Sequence, residues 1–161
     1  MEASVIDLLE KLFYKKIMLY NDLLYCFKEE RESLININLD KLWGLSKEKD
    51  EICLKIRSAR EEMLSAVDQK DEQQSFSLNA IMDLIPGEYR ANFHKLYLRI
   101  LKLKSEVEIL RQQNMIFIDD SLKFMDEMIS IISGETESRF IYNDQCHLRK
   151  SGPNLFLNRE V

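Results

Sequence analysis

The sequence predicts an all-α chain: an elongated, coiled-coil-like antiparallel helical hairpin with a short third helix and a mobile C-terminal tail. Three observations carry this. Steps alternating between three and four residues pick out Phe93, Leu96, Ile100, Leu103, Val107, Leu110, Asn114, Phe117, Ser121, Phe124, Met128 and Ile131, and all but Asn114 and Ser121 are apolar. Such a run is the seam of a long helix that needs an apolar partner along its length. No Gly or Pro interrupts the chain between Gly87 and Gly134. At ~1.5 Å per residue the helix is on the order of 70 Å long, too long to bury its own face. Finally, the 161 residues include only four Gly and two Pro, with 45% hydrophobic and 32% charged residues. Sheet-rich folds spend more on turns.

Taken in order, Ser4 caps a first helix with acidic residues in its opening turns, as the helix dipole favours. Its apolar positions run Ile6, Leu9, Phe13, Ile17, Tyr20, Leu24, Phe27 and Leu34. A second set follows at Ile35, Leu39, Leu42, Cys53, Ile56, Met63 and Val67, shifted in phase by one residue. The shift is either a stutter in one long helix or a true break. Asn36, Asn38 and Gly44 weaken the helix here without a strong stop signal, so one bent helix over about 4–67 is the expectation. The charged run Lys47-Glu48-Lys49-Asp50-Glu51 reads as a solvated face with intrahelical pairs.

Residues 68–74 contain no apolar side chain and read as the connection at one tip of the hairpin. A short amphipathic helix over about 77–85 is stopped by Pro86-Gly87. The long helix then covers about 88–133, with Gly134 as its C-cap. These elements make a helical core over 1–134. Residues 135–161 form the flexible tail, which carries two apolar knots, Phe140-Ile141-Tyr142 and Leu155-Phe156-Leu157.

The formal net charge of -5 argues against a general nucleic-acid or anionic-membrane binder. No apolar run approaches the ~18 residues of a membrane span. The first residues lack the pattern of a signal peptide, and Cys26, Cys53 and Cys146 fit neither a disulfide framework nor a metal site. A cytoplasmic protein with reduced thiols is expected.

Little here carries chemistry. His94 flanks the seam, but Tyr97 and Leu98 stand where a phosphorelay helix presents Lys and Gly. His147 beside Cys146 is too few ligands for zinc. There is no phosphate loop and no nucleophile elbow. The expectation is a protein that is not an enzyme and needs no metal or cofactor. Asn114 and Ser121 break the seam; a buried Asn fixes register or partner, or joins a polar layer with an Arg or Glu of the first helix. Beyond them, Ile118, Leu122, Met125, Ile129 and Ile132 widen the apolar face past the needs of one partner helix. Met125 and Met128 would make that face adaptable, as helix-in-groove recognition uses.

The chain resembles the flagellar export chaperones of the FlgN type over roughly residues 6–142. The likeness rests on Glu29-Glu30-Arg31-Glu32-Ser33-Leu34, Asp40-Lys41-Leu42, Lys47-Glu48-Lys49-Asp50-Glu51-Ile52, and Arg60 ahead of Met63-Leu64. It continues through Leu84-Ile85-Pro86, then Asn114, Phe117-Ile118, Ser121-Leu122, Phe124, Gly134 and Tyr142. Arg111 stands where the family often has a second Asn, and no Gly follows Tyr142 closely. The resemblance implies a cytoplasmic chaperone that binds hook–filament junction proteins, prevents their premature polymerisation and delivers them to the type III export gate. The expected partner surface is Met125, Met128, Ile129, Ile132, Phe140, Ile141, Leu155, Phe156 and Leu157. Tyr142 is assigned to the export apparatus on the resemblance alone. The alternative reading is a structural coiled coil that self-associates and has no client.

Overall fold

A tight corner at Asn36–Asn38 sets the architecture. The computed structural model describes residues 3–67, 78–134, 141–142 and 148–149, with backbone alone for 78–80 and the last two pairs. Helix α1 spans Ala3–Ile35 and α2 spans Leu39–Ala66, so the sequence 4–67 is two helices and not one bent helix. The reason is local. Ile37 lies in the left-handed region, with φ 54. Its N–H donates to Leu34 O at 3.3 Å and the Asn38 N–H donates to Ser33 O at 2.9 Å. This is a Schellman closure of α1, with Ile at the position that Gly usually fills. The Asn38 side chain then accepts from Lys41 N at 3.1 Å and caps α2. One residue thus ends one helix with its backbone and starts the next with its side chain.

The hairpin turn is therefore this corner. Residues 68–74, expected as the hairpin tip, lie outside the described residues. Helices α1 and α2 run antiparallel, tied by Lys15–Glu62 at 2.9 Å near one end and Lys41–Glu29 at 2.6 Å near the other. Helix α3 spans Leu78–Leu84 and α4 spans Gly87–Ser133. Contacts between α1 and α4 advance together: Glu10 accepts from Asn92 Nδ2 at 2.9 Å, and Arg31 Nη1 donates to Gln113 O at 3.2 Å. Thus α4 lies parallel to α1, and the antiparallel partner of α1 is α2. The all-α class holds. Among the described residues the strands are two-residue pieces, β1 (Ile141–Tyr142) and β2 (Leu148–Arg149), paired antiparallel.

The chain divides into two compact units, Met1–Asn114 and Met115–Val161. In the first, α1 is central because it carries apolar residues on two sides. Ile6, Leu9, Phe13 and Ile17 join Phe93, Leu96 and Ile100 of α4, with Met63 of α2 and Ile81, Met82 and Ile85 completing the cluster. Phe13 and Phe93 meet edge to face, centroids 5.3 Å apart at 88°, a geometry worth about 0.5–1.5 kcal/mol beyond burial. A second cluster joins Leu19, Leu23, Cys26 and Phe27 with Leu45, Ile52 and Val107. On α2 the buried Leu45, Ile52 and Ala59 recur at heptad spacing; Lys47, Glu48, Asp50 and Glu51 face solvent, but Lys49 turns inward to pair with Glu30 of α1 and not within its own helix. Short α3 is thereby committed to the Phe13–Phe93 cluster. Gly134 closes α4 with φ 70, the C-cap conformation.

Candidate partner-binding surface

The seam of α4 changes character at Asn114. Up to that residue its apolar positions Phe93, Leu96, Ile100, Leu103 and Val107 are buried. Asn114 is only 2% exposed, and its Nδ2 donates to Phe27 O at 2.9 Å and to Glu30 Oε2 at 3.0 Å. Glu30 also pairs with Lys49 of α2, whose Nζ stands 4.8 Å above the Phe27 ring centroid. A carboxylate between an amide and an ammonium has its charge and lone pairs satisfied, which offsets the cost of partial burial. The seam Asn thus joins α1, α2 and α4 in one polar layer. Ser121, the other polar seam residue, donates to Phe117 O at 2.7 Å and is satisfied within its own helix.

Past Asn114, Phe117 and Ile118 are half-buried, and from Leu122 to Ile132 the helix exposes its apolar side chains. Met125, Met128, Ile129 and Ile132 are 57%, 43%, 59% and 67% exposed, and their spacing puts them on one helix face. Leu122 lies on that face one turn earlier, and Phe124 and Ile131 edge it, all exposed. Asp119, Lys123, Asp126 and Glu127 fall on the opposite side, so this is an amphipathic helix with its apolar side uncovered. The seam at Phe124 and Ile131, read in the sequence as wanting a partner, has none among the described residues. A contiguous apolar face of this kind marks an interaction surface more often than a scattered Leu does.

Of the remaining residues expected in this surface, Ile141 and Tyr142 form β1, and Phe140, Leu155, Phe156 and Leu157 lie outside the described residues. His94 is exposed on α4. Sequence reading missed a second exposed apolar group at the α1–α2 corner, Ile35, Ile37, Leu39 and Trp43. The sequence reading set Ile35 and Leu39 in the apolar seam of an unbroken helix; the break at Ile37 leaves them 54% and 64% exposed instead.

Among the described residues no helix is long and apolar enough to cross a membrane, and no group of three or more His, Cys, Asp or Glu could hold a metal ion. Cys26 is free and buried, and burial, with Glu48 adding to it, pushes its thiol up to about 11; Cys53 is free and exposed.

No curated protein and no solved structure matches the chain. The model of the FlgN protein family matches residues 1–148, all but the last stretch of the sequence. That span includes the polar layer at Asn114 and the whole uncovered face of α4. The chain belongs to the FlgN family, a family of flagellar export chaperones rather than enzymes.

Proposed function

We propose that this protein is a cytoplasmic chaperone for hook–filament junction proteins, the flagellar hook-associated proteins, and that their terminal segments bind the C-terminal third of α4. The observation that carries the reading is the uncovered face of Met125, Met128, Ile129 and Ile132. Axial proteins have terminal segments that are unstructured when free and become helical on assembly. An apolar helix face offers such a segment the burial it would otherwise find in another subunit, which keeps it from polymerising early. Two methionines give the face the plasticity to take related segments. The ordering cost of a disordered client trims affinity, which suits a complex that must come apart at export. In this proposal Phe140, Ile141, Leu155, Phe156 and Leu157 extend the surface, and Tyr142 docks at the export gate.

The test is a pull-down with the junction proteins encoded in the same genome, followed by calorimetry on the full chain and on a chain ending at Gly134. One-to-one binding by the full chain, lost on truncation with helicity retained, is the expected result. Unchanged binding by the truncated chain would remove the tail from the surface. No binding to any axial protein, with self-association at micromolar concentration, would leave a structural coiled coil instead.

A further inference from the structure

The first unit has an open groove of its own, about 480 Å³ in volume, where α1 and α4 run side by side. Asn21 of α1 and Leu98, Arg99, Lys102, Leu103 and Glu106 of α4 line it. Its rims are apolar. Tyr14, Met18 and Tyr25 share a face of α1 with Asn21, at steps of four, three and four, and all three are exposed. Across the groove Leu98 and Ile109, on one face of α4, are exposed as well. The charge inside is positive. Lys102 meets Glu106 only at 3.8 Å, and Arg99 has no hydrogen bond or ion pair among the described residues. Lys95, exposed one turn before Arg99, adds a third cation. Other acids nearby are placed or engaged elsewhere. Asp22 acts on Cys26, which packs with Leu45 and Ile52 of α2, and Glu10 accepts from Asn92.

A groove between parallel helices, with apolar rims and a positive lining, fits an amphipathic helix of net negative charge. The chain carries one. From Asp119 to Ser133, α4 holds Asp119, Asp120, Asp126 and Glu127 against Lys123 alone, and its apolar side is uncovered. The lengths agree as well. Leu122 to Ile132 spans ten residue steps, and Tyr14 to Tyr25 and Leu98 to Ile109 span eleven each, on the order of 15 Å in every case. Groove and acidic stretch belong to one continuous helix, which cannot lie against itself, so the contact takes two chains.

We propose that the C-terminal third of α4 from a second copy lies in the α1–α4 groove of the first. It covers Met125, Ile129 and Ile132 with Tyr14, Met18 and Leu98, and sets Arg99 and Lys102 against a net negative helix. Three turns of helix cover less than the about 800 Å² per partner of a stable interface, so the contact is weak. Salt screens its charged part. Resting on the reading of this face as the client surface, the contact is a reversible cover. Client and second copy compete for the same apolar residues, and the client-free chain shields a face that is otherwise prone to aggregate.

The test needs no client, so self-association can fail while client binding holds, and the reverse. Sedimentation velocity of the full chain should show association that grows with concentration and weakens as salt is raised. Arg99→Glu with Lys102→Glu, at exposed positions, should weaken it about tenfold or more with circular dichroism unchanged. Met125→Ser with Ile129→Ser should do the same from the other side of the contact. Mixed together, the two double variants should form a complex that stops at two chains, because one keeps the helix and the other the groove. A wild type that stays monomeric at its highest soluble concentration overturns the proposal and leaves the groove to an acidic helix of another protein. A charge-inverted groove that associates as wild type does also overturns it, since the apolar faces then pair with each other. So does a mixture that stays monomeric where wild type associates.

Discussion

Asn114 on α4 donates to the Glu30 carboxylate on α1 at 3.0 Å, while the same amide nitrogen reaches Phe27 O at 2.9 Å. All three residues belong to the first unit, of which Asn114 is the last. Asn114→Ala removes the donor from both acceptors and leaves Glu30 with Lys49 alone. Urea unfolding should show a loss of roughly 1–2 kcal/mol, the worth of the two hydrogen bonds, since both acceptors keep another partner. A loss below about 0.5 kcal/mol would mean that the layer is peripheral to stability.

Ile37 carries a β-branched side chain at φ 54 and is 79% exposed, so little burial offsets the strain. Ile37→Gly should raise stability by roughly 1 kcal/mol, because Gly enters the left-handed region without a Cβ clash. Asn38→Ala should do the reverse by about 1 kcal/mol through loss of the α2 cap. Thermal melts of the two variants, moving in opposite directions from wild type, check the corner as drawn.

Burial on α1, then Arg60 and Lys104, holds the Lys16 ammonium below its ordinary 10.5, at about 8, in the folded chain. Between those values the unfolded chain binds a proton that the folded chain has released, so stability rises with pH. Cys26 acts in the opposite sense above 9, where its thiol ionises only on unfolding. The clean window is therefore pH 8 to 9, and stability should climb there by about 1 kcal/mol per pH unit. Urea midpoints across that window give the slope, and Lys16→Met should flatten it.

Met125, Ile129 and Ile132 are exposed, so replacing all three by Ser should change stability by less than about 1 kcal/mol. Far-ultraviolet circular dichroism should be nearly unchanged. Affinity for a junction-protein terminal segment should fall by about 100-fold or more, as it does when the centre of an apolar interface is lost. Retained affinity would move the binding surface off this face.

Much of this was legible without coordinates. The seam from Phe93 to Ile131, the stop at Pro86-Gly87 and the cap at Gly134 are local signals, and α4 spans Gly87–Ser133. The apolar excess at Leu122, Met125, Ile129 and Ile132 was also visible, since helical periodicity alone puts those residues on one face. Asn114 stood out as polar in an apolar seam. Its partners did not, because Glu30 and Lys49 sit in charged runs where every residue looks solvated. Lys16 gave no signal, since a lone Lys among apolar residues usually snorkels to water.

By itself the sequence determined that the chain is helical, that α4 is long and seamed, and that its last third is apolar beyond the needs of one neighbour. Those properties follow from backbone propensity and a 3.6-residue period, which act over a few turns. Only the tertiary structure decided that α1 stops at Ile35, that α4 runs parallel to it, and that the seam is buried at Asn114, half-buried at Phe117 and exposed at Phe124 and Ile131. A left-handed Ile37 is locally unfavourable, so it forms only because the corner brings α2 back along α1 and buries Leu45, Ile52 and Met63 there. The gain is collected far along the chain from the residue that bears the strain.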